Sequence, residues 1–178
     1  MRIRRAERED LGACARLDPS FVTERVWQLD ESARGVEIAL SLRQVRLPRP
    51  LRAEYPRAMD DLDADWERRE CLLVAEDEAT GEALGFIDLV VPYDAATGWV
   101  KHLVVAEGAR RRGVGSQLLA AARAWCEYHG LERIMAECQT KNYPAVQLYQ
   151  KSGLEFCGFN DMYYSRDVAL FFAARLMG

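Results

Sequence analysis

A bend rich in arginine and glycine joins an apolar strand to a long amphipathic helix near the middle of the chain. Residues 99–105 are mostly apolar and predict a strand, and apolar residues then recur at helical spacing from Val114 to His129. The bend reads Arg110-Arg111-Arg112-Gly113 and continues into the helix as Val114-Gly115-Ser116. A strand that turns directly into a helix in this way favours a mixed α/β fold.

The chemistry of the bend predicts a binding site for a diphosphate. Glycines let backbone amides approach a ligand without obstruction by a Cβ atom. A helix N-terminus presents unpaired N–H groups and roughly half a positive charge, and arginines add forked donors. The alternative is a plain turn with solvated arginines. The junction lacks the GxGxxG pattern of dinucleotide-binding folds and the GxxxxGK pattern of P-loops, which disfavours both classes.

Strands and helices alternate along most of the remaining chain and predict a single α/β domain over residues 1–178. No internal repeat or change in composition marks a second domain. Further strands are predicted at residues 2–5, 71–75, 84–91, 134–138, 154–159 and 168–176. Further helices are predicted at residues 9–17, 60–69 and 144–152.

Residues 21–56 combine apolar groups with a proline-rich end. An apolar patch at residues 21–27 precedes residues 36–42, where apolar side chains occupy alternate positions. This period of two predicts a half-buried strand. Prolines then recur in residues 47–56, and proline lacks a backbone donor and restricts the residue before it. We therefore expect this last segment to be a surface connection.

Composition and charge exclude several classes of protein. The 178 residues carry a net charge of −4, which disfavours general attraction to nucleic acid or anionic membranes. The five cysteines are scattered without a CxxC pair, so we expect neither a disulfide framework nor a metal site. The first ten residues lack the apolar run of a secretory signal, and no stretch is long enough to span a bilayer. These features predict a cytoplasmic protein.

Residues 84–159 resemble the core of the GNAT superfamily of N-acetyltransferases. The resemblance rests on the strand, the pattern Arg110-x-x-Gly113-x-Gly115, the amphipathic helix, and a second strand and helix that bring Asn142 and Tyr149. It implies the GNAT acyltransferase fold, with a mostly antiparallel central sheet splayed at the cofactor site and flanked by helices. It also implies that the cofactor is acetyl-CoA.

The same resemblance implies which residues bind the coenzyme. The backbone of Leu103, Val104 and Val105 would pair with the pantetheine arm, where the strands splay. Asn142 would cap its helix, hydrogen-bond a pantetheine amide, or do both. The complete predicted cofactor set is Leu103, Val104, Val105, Arg110, Arg111, Arg112, Gly113, Val114, Gly115, Ser116, Asn142 and Tyr149.

Two residues are predicted to carry the catalysis. Acetyl transfer needs a neutral amine, whereas a lysine-type ammonium has a pKa of about 10.4, so a base must remove a proton. Many GNAT members have a glutamate at the position of Trp99, but this strand has no acidic residue. Glu137 in the next strand is the preferred base, because burial in an apolar run would raise its proton affinity and the resemblance to N-terminal acetylases implies a base in this place. Asp161 is the reserve. The resemblance implies that Tyr149 is the general acid. The structural alternatives are a solvated or partner-facing position for Glu137 and a core position for Tyr149.

Several segments resemble the streptothricin-type acetyltransferases in particular. They are residues 21–29, 136–140, 160–164 and 169–172, together with Asn142. This likeness implies acetyl transfer to a primary amine of a small molecule, such as a streptothricin-like antibiotic, and a role in antibiotic resistance. A protein N-terminal or lysine acetyltransferase is one alternative, and a noncatalytic acyl-CoA-binding sensor is another.

The acceptor pocket is predicted from side-chain chemistry, because aromatic faces and carboxylates suit a cationic amine. The candidates are Trp27, Tyr55, Asp161, Tyr163 and Tyr164. A role in packing alone is an equal alternative for them.

Cys138 is expected to be a buried thiol rather than a nucleophile. The sequence leaves the oligomeric state open, with a homodimer as one alternative.

Overall fold

The computed structural model describes residues 1–59, 62–68, 70–92, 96–164 and 167–176. Within them the chain forms nine strands, four α-helices and two short 3-10 turns. The strands are β1 (Arg2–Arg5), β2 (Phe21–Arg34), β3 (Glu37–Ala53), β4 (Cys71–Glu76), β5 (Ala83–Val90), β6 (Thr97–Val105), β7 (Arg133–Gln139), β8 (Glu155–Asn160) and β9 (Ala169–Arg175). The helices are α1 (Leu11–Ala15), α2 (Leu62–Arg68), α3 (Val114–Tyr128) and α4 (Tyr143–Lys151).

Seven strands form one sheet in the order β1-β4-β5-β6-β7-β9-β8. Every neighbouring pair is antiparallel except β6 and β7, which run parallel. Side chains of β4 alternate between two cores, with Leu73 in the core under α3 and α4 and Val74 in the core under α1 and α2. The predicted mixed α/β fold with a mostly antiparallel sheet is thus confirmed.

The parallel strands β6 and β7 separate along their length. They pair only from Thr97 to Val100, opposite residues 133–136. Beyond that point β6 keeps its partner β5 as far as Val105, and β7 keeps its partner β9 as far as Gln139. The two strands therefore diverge in the middle of the sheet and leave the inner edge of β6 without a neighbouring strand.

Strands β2 and β3 form a separate two-stranded hairpin, which corrects one sequence-based expectation. Residues 37–42 are in a strand as predicted, whereas Val36 is in the hairpin turn. The predicted half-burial is wrong, since Val36 is fully exposed and Ile38 is 69% exposed. Trp27 and Leu42 pack on the main core, whereas the hairpin tip extends beyond it. Among the described residues no element covers the apolar face of that tip.

The proline-rich segment is also different from the prediction. β3 continues through Pro48 and Pro50 to Ala53 instead of ending in a surface connection at residue 47. The pairing register jumps from Thr23 opposite Leu51 to Arg25 opposite Arg46, so residues 47–50 bulge out of the ladder. Proline is tolerated there because a bulge in a two-stranded sheet requires no donor from it.

The predicted helices are present with shifted ends. The first begins as a 3-10 turn at Arg8–Asp10 and becomes helical only at Leu11, which is buried with Cys14. The helix predicted at residues 60–69 is found as α2, while residues 60, 61 and 69 lie outside the described part of the chain. No helix in the described ranges is long and apolar enough to cross a bilayer.

Candidate active site

A cleft of about 1180 Å³ opens where β6 and β7 diverge. Its walls come from β6, the arginine-glycine bend, the first turn of α3, the end of β7, and α4. Every residue of the predicted cofactor set lines this cleft except Arg112. Both predicted catalytic residues line it as well, so residues distant in sequence meet at one place.

The bend before α3 has an unusual backbone. Arg111 has a φ of 64° and Gly113 a φ of 87°, which places two residues of one short turn in the left-handed region. Gly113 is the N-cap of α3 and supplies no capping side chain, and the first residues of the helix, Val114–Ser116, line the cleft. Left-handed geometry is costly for arginine, and such strain is concentrated at functional sites.

Gly115 permits a close contact between the two helices that flank the cleft. A Cβ atom added at Gly115 would lie 3.2 Å from the Leu148 side chain of α4. This glycine therefore has a packing role, in addition to the ligand approach predicted from the sequence. The diphosphate role of the bend stays a prediction.

The three arginines of the bend are placed differently from one another. The Arg110 side chain donates from Nε to the Val105 carbonyl at 3.0 Å and from Nη2 to the Asp18 carbonyl at 2.8 Å. It therefore fastens the bend to β6 and to the segment before β2. Arg111 is exposed and lines the cleft, whereas Arg112 is exposed and outside it.

The inner edge of β6 offers backbone rather than side-chain groups. Val104 is buried in the core on the far side of the sheet, so only its backbone is near the cleft. On the cleft side, the Val105 carbonyl accepts the bond from Arg110, and the Lys101 carbonyl accepts a 3.4 Å bond from the Tyr55 hydroxyl. Leu103 lies between these two positions and lines the cleft.

Asn142 caps the N-terminus of α4. Its Oδ1 accepts a hydrogen bond of 3.1 Å from the Ala145 amide, and a proline occupies the first turn. The capping interpretation is confirmed. Asn142 also lines the cleft, where it could contact the coenzyme. Its hydrogen bond with a pantetheine amide stays a prediction.

Glu137 is a buried carboxylate held by two donors. Its side chain is only 1% exposed, so the solvated alternative is wrong. Oε1 forms an ion pair with Arg57, and Oε2 accepts a hydrogen bond from the Trp99 indole. Burial raises the pKa of Glu137, while the charge and hydrogen bond of Arg57 and the hydrogen bond of Trp99 partly oppose that rise.

Tyr149 projects from α4 toward the same place. Its hydroxyl lies 3.5 Å from the Glu137 carbonyl oxygen, and its ring lies 5.6 Å from the ring of Phe172. Burial raises the pKa of Tyr149 well above its ordinary value, so the phenol keeps its proton at neutral pH. A buried, protonated hydroxyl at the cleft wall is compatible with a general acid and also with a packed core tyrosine.

The predicted acceptor residues divide into two groups. Tyr55 and Tyr164 line the cleft, and the Tyr55 hydroxyl is 3.2 Å from His102 Nδ1. Three others do not line it: Tyr163 accepts a bond of 3.0 Å from Arg57 near its mouth, Asp161 is exposed, and Trp27 packs on the core.

Cys138 lines the cleft as a buried thiol. Burial, and then the charge of Glu137, raise the pKa of this thiol, so it stays protonated. A neutral thiol is a poor nucleophile, which favours direct attack by the amine over a covalent acyl-enzyme.

Two functional candidates were missed by the sequence analysis. Arg57 follows the proline-rich segment, where no periodic pattern indicates that its side chain reaches Glu137. Gln139 is buried at the cleft wall and donates from Nε2 to Asp167 at 2.7 Å, while its Oε1 has no partner within the described residues. A ligand N–H group would satisfy that oxygen.

The fold and this cleft are those of an acyltransferase. The sequence profile of the Acetyltransferase (GNAT) family matches residues 40–154, which include the bend, Glu137 and Tyr149. The chain therefore belongs to the GNAT acetyltransferase family and is an acetyl-CoA-dependent N-acetyltransferase.

Known proteins similar to this chain cover nearly all of it. Streptothricin acetyltransferase of Streptomyces lavendulae is 29% identical over 169 residues, which is 90% of this chain and 85% of that protein. The crystal structure of nourseothricin acetyltransferase is similar with a TM-score of 0.83 and 25% identity, covering 99% of this chain and 98% of that one. A Bacillus anthracis protein assigned to the streptothricin acetyltransferases and crystallised with acetyl coenzyme A has a TM-score of 0.77 and 22% identity, with 98% of each chain covered.

The cleft residues fit acetyl-CoA as the cofactor. The open edge of β6 has backbone groups for an amide-containing arm, and the unpartnered Gln139 oxygen is an acceptor beside it. The uncapped N-terminus of α3 and exposed Arg111 supply positive charge for a diphosphate. These hydrogen-bonding groups and this positive charge therefore suit a long ligand with a polar arm and an anionic diphosphate.

Proposed function

We propose that this chain transfers acetyl from acetyl-CoA to a primary amine of a small cationic molecule, with a streptothricin-like antibiotic as the leading acceptor. Relatives named for that activity support the acceptor class, since streptothricin acetyltransferase and nourseothricin acetyltransferase are similar to this chain over nearly its whole length. The observation that carries the proposal is the buried Glu137 carboxylate in the cleft next to the bend, where the Tyr149 hydroxyl lies 3.5 Å from the Glu137 backbone carbonyl.

Binding and orientation of the coenzyme are proposed for the bend and for β6. The α3 amides and Arg111 hold the diphosphate, the backbone of Leu103–Val105 aligns the pantetheine arm, and Asn142 assists at the start of α4. Arg110 maintains the bend through its bonds to two backbone carbonyls. When bound, acetyl-CoA supplies the thioester-activated acetyl group.

Proton transfer is proposed for Glu137 and Tyr149. A primary ammonium must lose a proton before its nitrogen can attack, and Glu137 accepts that proton directly or through water. Burial raises the pKa of Glu137, which makes its carboxylate a better base than an exposed one. Burial raises the pKa of the Tyr149 phenol, so Tyr149 keeps a proton at Oη until the thioester bond breaks. Tyr149 would then donate this proton to the departing thiolate.

Acceptor binding is proposed for the aromatic side of the cleft. Tyr55 and Tyr164 line it, and Tyr163 lies at its mouth with the Arg57 guanidinium 5.7 Å from its ring centroid. Aromatic faces of this kind attract cations.

We place the reaction in the cytoplasm, which the five free cysteines support.

The test is a release assay for the coenzyme A thiol with a panel of amines. The panel contains streptothricin, spermidine, free lysine and peptides with free N-termini, each at several concentrations with acetyl-CoA. We expect the highest kcat/KM with streptothricin. Turnover of peptides alone would support a protein acetyltransferase instead, and tight binding of acetyl-CoA without turnover of any amine would support a sensor.

A further inference from the structure

Arg57 contacts the Glu137 carboxylate from a segment far away in sequence. One guanidinium nitrogen, Nη2, donates both to Glu137 Oε1 and to the Tyr163 hydroxyl, the latter at 3.0 Å. The guanidinium also lies over the Tyr163 ring. With three contacts on one side chain, Arg57 has a defined place in the cleft wall beside Glu137.

The groups around Glu137 are mostly neutral at pH 7. They come from the segment after β3, from β6, from β7 itself, from α4 and from the segment between β8 and β9, and they are Tyr55, Arg57, Trp99, Cys138, Tyr149, Tyr163 and Tyr164. Lys101 of β6 lines the same cleft. Arg57 supplies the positive charge that is in direct contact with the carboxylate.

A buried carboxylate in such surroundings tends to take up a proton. Burial disfavours the charged form, whereas a cation in contact favours it and lowers the pKa of a carboxyl by about one to three units. Burial lowers the pKa of Arg57, but the charge and hydrogen bond of Glu137 and the contact with Tyr163 together raise it by more, so the guanidinium stays charged. Arg57 therefore cannot serve as the proton acceptor itself.

We propose that Arg57 is a positioning residue that keeps the buried Glu137 ionised at neutral pH and holds its carboxylate toward the acceptor amine. The inference rests on the proposed function, in which Glu137 is the base. In the step it supports, an N–H bond of the acceptor ammonium breaks, its proton forms an O–H bond on Glu137, and the nitrogen keeps the electron pair. Arg57 keeps its own protons throughout.

The test compares the pH dependence of kcat/KM in Arg57→Met, Arg57→Lys and the parent enzyme. One acceptor is used throughout, so the titration of its amine is common to all profiles. We expect the acidic limb of Arg57→Met to move to higher pH, so that the ratio of kcat/KM at pH 9 to that at pH 7 rises about tenfold or more. Arg57→Lys keeps the charge and should recover most of the parent profile.

Arg43→Met is the matched control. Arg43 is an exposed arginine that pairs with Asp30 at 2.8 Å on the hairpin, away from the cleft, and its profile should equal that of the parent. If Arg57→Met does not fold, Arg57→Gln, which is uncharged and still able to donate to Tyr163, is measured in the same way. Circular dichroism establishes folding of each variant.

The outcomes separate the two proposals. If Arg57→Met or Arg57→Gln is active and its acidic limb has not moved, Arg57 only holds the segment after β3 in place. This result overturns the inference but leaves the proposed function intact. Full activity of Glu137→Gln overturns the base assignment and with it the inference. Absence of turnover by the parent enzyme with every amine contradicts the proposed function itself.

Discussion

The indole nitrogen of Trp99 donates a hydrogen bond to the Glu137 carboxylate across the parallel strands β6 and β7. Trp99 is in register with Met135, two residues before Glu137 on β7. The strand before the bend has no acidic residue, yet its tryptophan contacts the acid of the next strand. The position that holds a glutamate in many GNAT enzymes is thus connected here to a carboxylate supplied by the neighbouring strand.

Replacing Glu137 with glutamine should abolish most acetyl transfer. Glutamine keeps the size of the side chain but cannot accept the proton, and we expect kcat to fall by about 10²- to 10⁴-fold. Affinity for acetyl-CoA, measured by calorimetry, should change little. The control is Glu132→Gln, because Glu132 is exposed on the turn before β7. Parent-like kcat in Glu137→Gln would mean that another group is the base.

Replacing Trp99 with phenylalanine should move the acidic limb of the kcat/KM profile to higher pH. The indole hydrogen bond favours the ionised carboxylate, so its loss raises the pKa of Glu137 and leaves less base at pH 7. We expect a loss of about tenfold at pH 7 that shrinks at pH 9. Trp125→Phe, on α3, is the control. A loss that is equal at all pH values would indicate a packing role for Trp99.

Replacing Tyr149 with phenylalanine should slow turnover without weakening acetyl-CoA binding. The ring still packs on Phe172, but the donor proton is gone, and we expect kcat to fall about 10²-fold. Stopped-flow measurement of thiol release gives the rate, and calorimetry gives the affinity. Tyr128→Phe is the control, since Tyr128 is exposed at the end of α3. Unchanged rate and affinity would show that the hydroxyl is dispensable.

Replacing Gly113 with alanine should weaken coenzyme binding through the backbone. There is open space for the new methyl group, but a φ of 87° is strained for alanine and costs about 1–2 kcal/mol. We expect a lower melting temperature and a higher Kd for acetyl-CoA. Gly108→Ala, which has equal space and no positive φ, should match the parent in both measurements. A Kd unchanged in Gly113→Ala would contradict a role for the bend in binding.

Local patterns predicted most elements correctly, because periodicity reports which face of a segment is buried. The alternating run near Ile38 was recognised as a strand, but its burial was not, since burial depends on whether the hairpin stays against the body. The extension of β3 through Pro48 and Pro50 was missed because a bulge cannot be recognised from proline spacing alone.

The candidate site was predicted only where one motif or one resemblance covered it. The residues of the bend are adjacent in sequence and could be found together. Arg57 and Glu137 are 80 positions apart, and neither residue carries a local sign of the other. From the sequence, Trp99 is only the residue that replaces a glutamate. The sequence does not show that the Trp99 indole reaches the Glu137 carboxylate on the neighbouring strand.

At the proposed site, the early end of the β6–β7 ladder would give the coenzyme the place of a missing length of strand. Backbone amides in residues 101–105 that face the gap should exchange with deuterium quickly in the free protein and slowly once the pantetheine arm completes their hydrogen bonds. On this proposal, loading would continue the hydrogen bonding of β6 beyond Val100, the point at which its ladder with β7 ends.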